Sequence, residues 1–106
     1  MGSVSRSPRA LTLSGKERLI LQLLADQGEL YGLQMVAASK RRLKRGTTYV
    51  TLGRMERKGY LESRLEAAPP QAGGLPRRLY TITAAGRRLL DIWDHVARHL
   101  APELAR

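Results

Sequence analysis

Arg45–Tyr60, RGTTYVTLGRMERKGY, is the stretch on which the fold turns, and the basic run Lys40–Arg45, KRRLKR, leads into it. Placed on a helix at about 100° per residue, the segment separates into two faces. Tyr49, Leu52 and Met55 fall on one side and are apolar enough to bury. Thr47, Thr51, Arg54, Arg57 and Lys58 fall largely on the other, which is cationic and carries short hydroxyls. Gly59 follows the last periodic position, where a left-handed stop is easiest to build. Across this region Lys40, Arg41, Arg42, Lys44, Arg45, Arg54, Arg57 and Lys58 stand against a single acid, Glu56. A helix with a greasy back and a positive, hydroxyl-bearing front suits a DNA major groove, so the expectation is a DNA-binding regulator.

Upstream, Leu33–Arg41 (LQMVAASKR) has helix-compatible composition, with Leu33, Val36 and Ala37 as the expected inner edge. Lys40, Arg41 and Arg42 load its C-terminal end, where cations complement the helix macrodipole. Tyr31-Gly32 opens this element, and Gly28 ends the one before it. That first helix starts at Ser14, whose spacing to Glu17 is a capping box. Leu19, Ile20, Leu23 and Leu24 form its expected inner stripe. Residues 1–13 are small, polar and Pro-containing, and read as a flexible tail.

Downstream the period changes. Leu61–Glu66 (LESRLE) alternates, with Leu61 and Leu65 on one face and Glu62, Arg64 and Glu66 on the other, which is a strand pattern. Arg77–Ile82 (RRLYTI) does the same, with Tyr80 and Ile82 on one face. The Pro- and Gly-rich stretch between them, Ala67–Pro76, is a turn, so the pair reads as a β-hairpin. A final helix is expected over roughly Ala84–Leu100. Helix–helix–helix–strand–strand–helix in one small, mainly α (α+β) unit is a winged helix-turn-helix with a two-stranded hairpin wing. The expected organisation is a tail over 1–13, a DNA-binding domain over 14–83 and a dimerisation helix over 84–106.

Composition agrees. The 106 residues leave room for one domain. The chain has 19 Lys+Arg against 9 Asp+Glu, a net charge of +10 and a pI near 11.1. That balance points to a polyanionic partner, nucleic acid first. Cysteine is absent, which excludes disulfides and thiolate metal sites. No apolar run is long enough to span a bilayer, and the cytoplasm is the expected location.

These residues resemble a known family. Tyr31-Gly32, the run Gly46–Tyr60 and the run Gly74–Arg87 are similar to the PadR family of bacterial transcriptional regulators, over nearly everything from Leu13 to Leu100. The specific parts are the GT-x-Y-x-x-L-x-R-(L/M)-E-x-x-G helix and the PRR-x-Y-x-(L/I)-T-x-x-G corner. The resemblance implies the short branch of that family: a homodimer joined mainly through the last helix, and usually a repressor released by a small molecule or another signal. Two features depart from the family pattern. Val50 stands where proline is frequent, and the hairpin tip is long, with Pro69-Pro70 and Gly73-Gly74.

Within the third helix, Thr47, Thr48 and Thr51 offer hydroxyls and methyls to base edges. Arg54 is the expected base reader, because Arg grips guanine O6 and N7 together. Lys44, Arg57 and Lys58 are expected on phosphates, and Arg77 and Arg78 extend the cationic surface at the wing base. Tyr31 and Tyr49 are expected to be mainly structural, with hydroxyls at the rim. On the last helix Ala85, Leu89, Ile92, Trp93, Val96 and Leu100 recur at three- and four-residue spacing. A partner helix is the natural cover for such a stripe, and Trp93 is a candidate contact for a flat aromatic effector, with dimer packing alone as the plainer reading. Asp91, His95 and His99 share a flank with the spacing of helical metal ligands, yet lack Cys and Glu, and no metal is expected. No cofactor motif and no catalytic constellation emerge, so the chain is not expected to be an enzyme. Two other readings of the same charge stand open: an adaptor for an acidic protein partner, and non-specific coating of DNA.

Overall fold

The computed structural model describes residues 13–67 and 77–99. The elements run α1 (Gly15–Gln27), β1 (Leu30–Tyr31), α2 (Gly32–Ala38), α3 (Arg45–Arg57), β2 (Leu61–Glu66), β3 (Arg77–Ile82) and α4 (Ala84–His99). The hairpin tip from 68 to 76, Leu100, and the tail except Leu13 lie outside the described residues. Leu13, expected in the tail, packs against the core.

Local signals set the helix ends. At α1 both halves of the capping box form: the Glu17 amide donates to Ser14 Oγ at 3.1 Å, and the Ser14 amide to Glu17 Oε1 at 2.9 Å. Gly28 closes that helix at φ 88°. At the end of α3 the Gly59 amide reaches the Glu56 carbonyl and the Tyr60 amide reaches that of Met55, each at 3.0 Å. With Gly59 at φ 86° this is a Schellman stop, the device a glycine at that position makes cheap.

The expected two-stranded hairpin, β2 and β3, is joined by β1 in a three-stranded sheet of order β1-β3-β2. Leu30 pairs with Tyr80 and Tyr31 with Leu79; two residues are too few to show a period in sequence. β2 pairs antiparallel with β3 from Leu61↔Ile82 to Glu66↔Arg77, which is the expected hairpin, but burial does not follow the expected faces: neighbours Leu79 and Tyr80 are both buried. Leu65 shares the face of Leu61 but is exposed, because it lies toward the turn end of the hairpin, away from the core. That core joins Ile20, Leu21 and Leu24 of α1 to Leu30, Met35, Leu43, Leu52, Met55, Leu61, Tyr80 and Leu90. Leu19 and Leu23, expected innermost, are only partly buried.

The segment between α2 and α3 also departs from expectation. α2 stops at Ala38, and Lys40 and Arg41 adopt left-handed backbone at φ 55° and 74°, so these cations lie in a turn beyond the helix end. Its inward residues are Gly32, Met35 and Ser39, while Leu33 and Ala37 face out. Ser39 is buried despite its polarity because both its hydrogen-bonding roles are filled. Its Oγ donates to the Val36 carbonyl at 2.8 Å and accepts from the Leu43 amide at 2.9 Å. Ser39→Ala is expected to leave that buried amide unpaired and to destabilise by about 1–3 kcal/mol. Urea unfolding should show this as a lower midpoint with an unchanged slope.

Candidate nucleic-acid interface

α3 is rotated relative to the expected faces. Thr48 (2% exposed), Thr51 (6%), Leu52 and Met55 point into the core. Thr48 Oγ1 donates to the Lys44 carbonyl at 2.6 Å, and Thr51 Oγ1 to that of Thr47 at 2.9 Å. A threonine bonded back onto its own helix has spent its donor and shows the core a methyl group. Thr48 and Thr51 are therefore corrected from the outward set; neither hydroxyl faces a groove. Thr47 remains exposed.

Tyr49, expected to be inward, is 43% exposed and lies across the start of α2. A Cβ on Gly32 would sit 2.6 Å from Tyr49 Cε1 and 2.8 Å from its hydroxyl oxygen. Gly32 is thus the seat of the Tyr49 ring, which gives the Tyr31-Gly32 pair a steric reason. The outward face of α3 carries Gly46, Thr47, Val50, Arg54 and Arg57, with Lys44 and Arg45 at its start. Lys58 turns back, placing Nζ 3.9 Å from Glu17 Oε2, which ties that cation to α1.

Beside this face, Tyr31, Gly32, Leu33, Gln34, Tyr49, Arg77 and Arg78 line a cleft of about 380 Å³ between α2, α3 and the wing root. Adjacent strand residues point to opposite faces, and the two arginines are held differently. The Arg77 guanidinium stacks on the Tyr31 ring at 4.3 Å. Arg78 Nη1 donates to Ser63 Oγ at 2.9 Å, and Ser63 donates to Glu56 Oε2 at 2.7 Å. The Tyr31 hydroxyl donates to Glu66, which holds its pKa above the usual phenol range; desolvation adds to the rise and Arg77 opposes it. Arg64 bridges Glu29 at 3.3 Å and Glu66 at 3.8 Å. A second, more acidic cleft of about 510 Å³ includes Glu29, Glu56 and Glu62 along β2. Glu29, Glu56 and Glu62 thus gather around β2, while Lys44, Arg45, Arg54 and Arg57 stand exposed along α3 and Lys40, Arg41 and Arg42 in the turn before it.

On α4, Gly86, Leu89, Leu90 and Ala97 are buried within the single chain. Leu89 is therefore corrected from the expected partner-facing set, since its own chain already covers it. Ile92 is 50% exposed, Trp93 and Val96 are half-buried, and Leu100 lies outside the described residues. Arg18 pairs with Asp94 at 2.8 Å, joining α1 to α4. The His95 and His99 rings stack with centroids 4.2 Å apart. Among the described residues no group of three or more His, Cys, Asp or Glu is placed to hold a metal ion, and no helix is long and apolar enough to cross a membrane.

Helices packed on a three-stranded antiparallel sheet, with a hairpin beside a cation-faced third helix, define a winged helix-turn-helix protein. Residues 20–92 match the model of the transcriptional regulator PadR-like family, and the chain belongs to that family, whose members are regulators rather than enzymes. Among solved structures it is similar to a PadR family transcription regulator from hypervirulent Clostridium difficile. That match has 28% identity and a TM-score of 0.70, over 86% of this chain and 95% of the other. A PadR family transcriptional regulator from Eggerthella lenta matches at 25% identity and TM-score 0.69, over 83% and 76%. Bacillus subtilis PadR, solved in complex with operator DNA, matches in fold at 24% identity and TM-score 0.68, over 77% of this chain and 48% of that one. None of the curated proteins matches.

Proposed function

We propose that this chain is a sequence-specific DNA-binding repressor, working in the cytoplasm as a homodimer that sets one α3 in each half of an inverted-repeat operator. The observation that carries the reading is the division of α3. Its inner side is closed by Thr48, Thr51, Leu52 and Met55, and Lys44, Arg45, Arg54 and Arg57 stand exposed around the rest. The Tyr31–Tyr49 cleft with Arg77 and Arg78 continues that cationic surface toward the wing. That Bacillus subtilis PadR, similar in fold, is solved in complex with operator DNA supports DNA as the partner. The exposed Ile92, with Val96 and Trp93 beside it, is the apolar strip a second α4 would cover. A planar effector meeting Trp93 there would act as the release signal, and the emission of this single indole would report it.

The test is an anisotropy titration on an operator selected from a random library, repeated over a range of salt. Neutralising about four phosphates per protomer predicts that log K falls against log salt with a slope of roughly −7 for the dimer. Sedimentation of the complex should give two chains per operator. Equal affinity for the selected site and random DNA would remove the repressor assignment.

A further inference from the structure

Val50 is the most exposed large apolar side chain among the described residues, at 64%, and charge does not explain it. It lies about 150° around α3 from the middle of the buried face, so the core has no claim on it. Gly46 comes about one turn before it and Gly53 just under one turn after. A Cβ on Gly46 would meet nothing within 4 Å, and one on Gly53 only an Arg57 guanidinium nitrogen at 3.7 Å. Neither has a positive φ. An interior helix glycine destabilises relative to alanine, and nothing among the described residues requires Gly53. A surface outside the chain that approaches the helix backbone closely would.

We propose that Val50, with Gly53 beside it, reads a thymine by packing its methyl groups on the 5-methyl group of that base in the major groove. The inference rests on the DNA-binding function proposed above and names one of its specificity contacts. The surroundings select this partner over an apolar protein surface. Arg54, Arg57, Lys44 and Arg45 share the exposed side of α3 with Val50, and such a mixture fits a groove with anionic walls and one apolar group on its floor. Valine also suits the task, because a β-branched side chain in a helix already holds one χ1 rotamer and has little freedom to lose.

Replacing each thymine of the selected operator by deoxyuridine removes one methyl group and leaves every hydrogen-bonding group in place. At one thymine per half-site, uracil should weaken binding by the unmodified protein roughly three- to fivefold. Val50→Ala, a surface change that leaves the fold alone, should bind the two forms equally. Gly53→Ala should raise Tm by roughly 4–8 °C and yet weaken operator binding. A thymine preference that persists in Val50→Ala, no thymine preference at any position, or full operator affinity in Gly53→Ala would each overturn the Val50 contact while leaving the regulator reading intact. Loss of the regulator reading itself would appear differently, as no operator preferred over random DNA by the unmodified protein.

Discussion

Gly86→Ala is expected to lower Tm by roughly 12–24 °C, the equivalent of about 3 kcal/mol in a domain of this size. A Cβ at position 86 would lie 2.3 Å from the Tyr60 carbonyl oxygen and 3.0 Å from Ile82 Cγ1. Side-chain rotation cannot relieve the first contact, because the opposing atom is backbone. That backbone is also fixed in place. The Tyr60 carbonyl accepts the Thr83 amide at 3.1 Å, and Thr83 Oγ1 donates to the Gly59 carbonyl at 2.7 Å. The same Thr83 Oγ1 accepts the Gly86 amide at 3.0 Å and so caps α4. Moving Tyr60 aside would strain the end of α3, the strand-to-helix corner and the first turn of α4 together. Gly46→Ala is the control: open space surrounds its would-be Cβ, so it should be neutral or mildly stabilising. Thermal melts of the two variants followed by circular dichroism decide the matter. Equal Tm values would mean that the corner yields more readily than its hydrogen bonds indicate.

The glycine corner shows what a sequence exposes and what it conceals. Features set by neighbours within four residues are legible: the Ser14–Glu17 box, the stop at Gly59 and the extended runs that become β2 and β3. The PRR-x-Y-x-(L/I)-T-x-x-G pattern located the corner at Gly86, but its close approach to Tyr60 appears only in three dimensions. The rotation of α3 is hidden in the sequence because threonine reads as a polar residue. Once Thr48 and Thr51 bond to carbonyls one turn back, each presents a methyl group and belongs inside. Tyr49 is hidden for the opposite reason: a large ring looks like core, yet it rests on the bare backbone of Gly32. Ser39 follows the threonine rule, buried once its hydroxyl is fully used. For the candidate interface, the cations were legible as a group, but their availability was not. Lys58 proves to be tied to Glu17, Arg77 to Tyr31 and Arg78 to Ser63. Pairings between elements far apart in the chain leave no periodic trace.

Those pairings leave Arg54 among the unpaired cations of α3, on its outward side, and Arg54→Ala is expected to weaken specific operator binding by about 5- to 150-fold, or roughly 1–3 kcal/mol. Arg54 is exposed on the outward side of α3 and has no ion-pair partner among the described residues. Its guanidinium therefore need not leave another charge unpaired when it swings toward a base. A planar fork gripping guanine O6 and N7 loses its geometry in lysine, which keeps the charge but not the pair of parallel donors. Arg54→Lys should consequently retain most of the affinity for random DNA and fail to restore preference for the operator. Arg57→Ala should behave in the contrasting way, weakening all sequences alike and lowering the salt slope by about 1. Competition titrations of the three variants against operators altered one base pair at a time would locate the guanine, as the position where Arg54→Ala no longer discriminates. If Arg54→Lys recovers full specificity, or Arg54→Ala weakens random and selected DNA equally, then Arg54 holds a phosphate and the reading of guanine falls to another side chain.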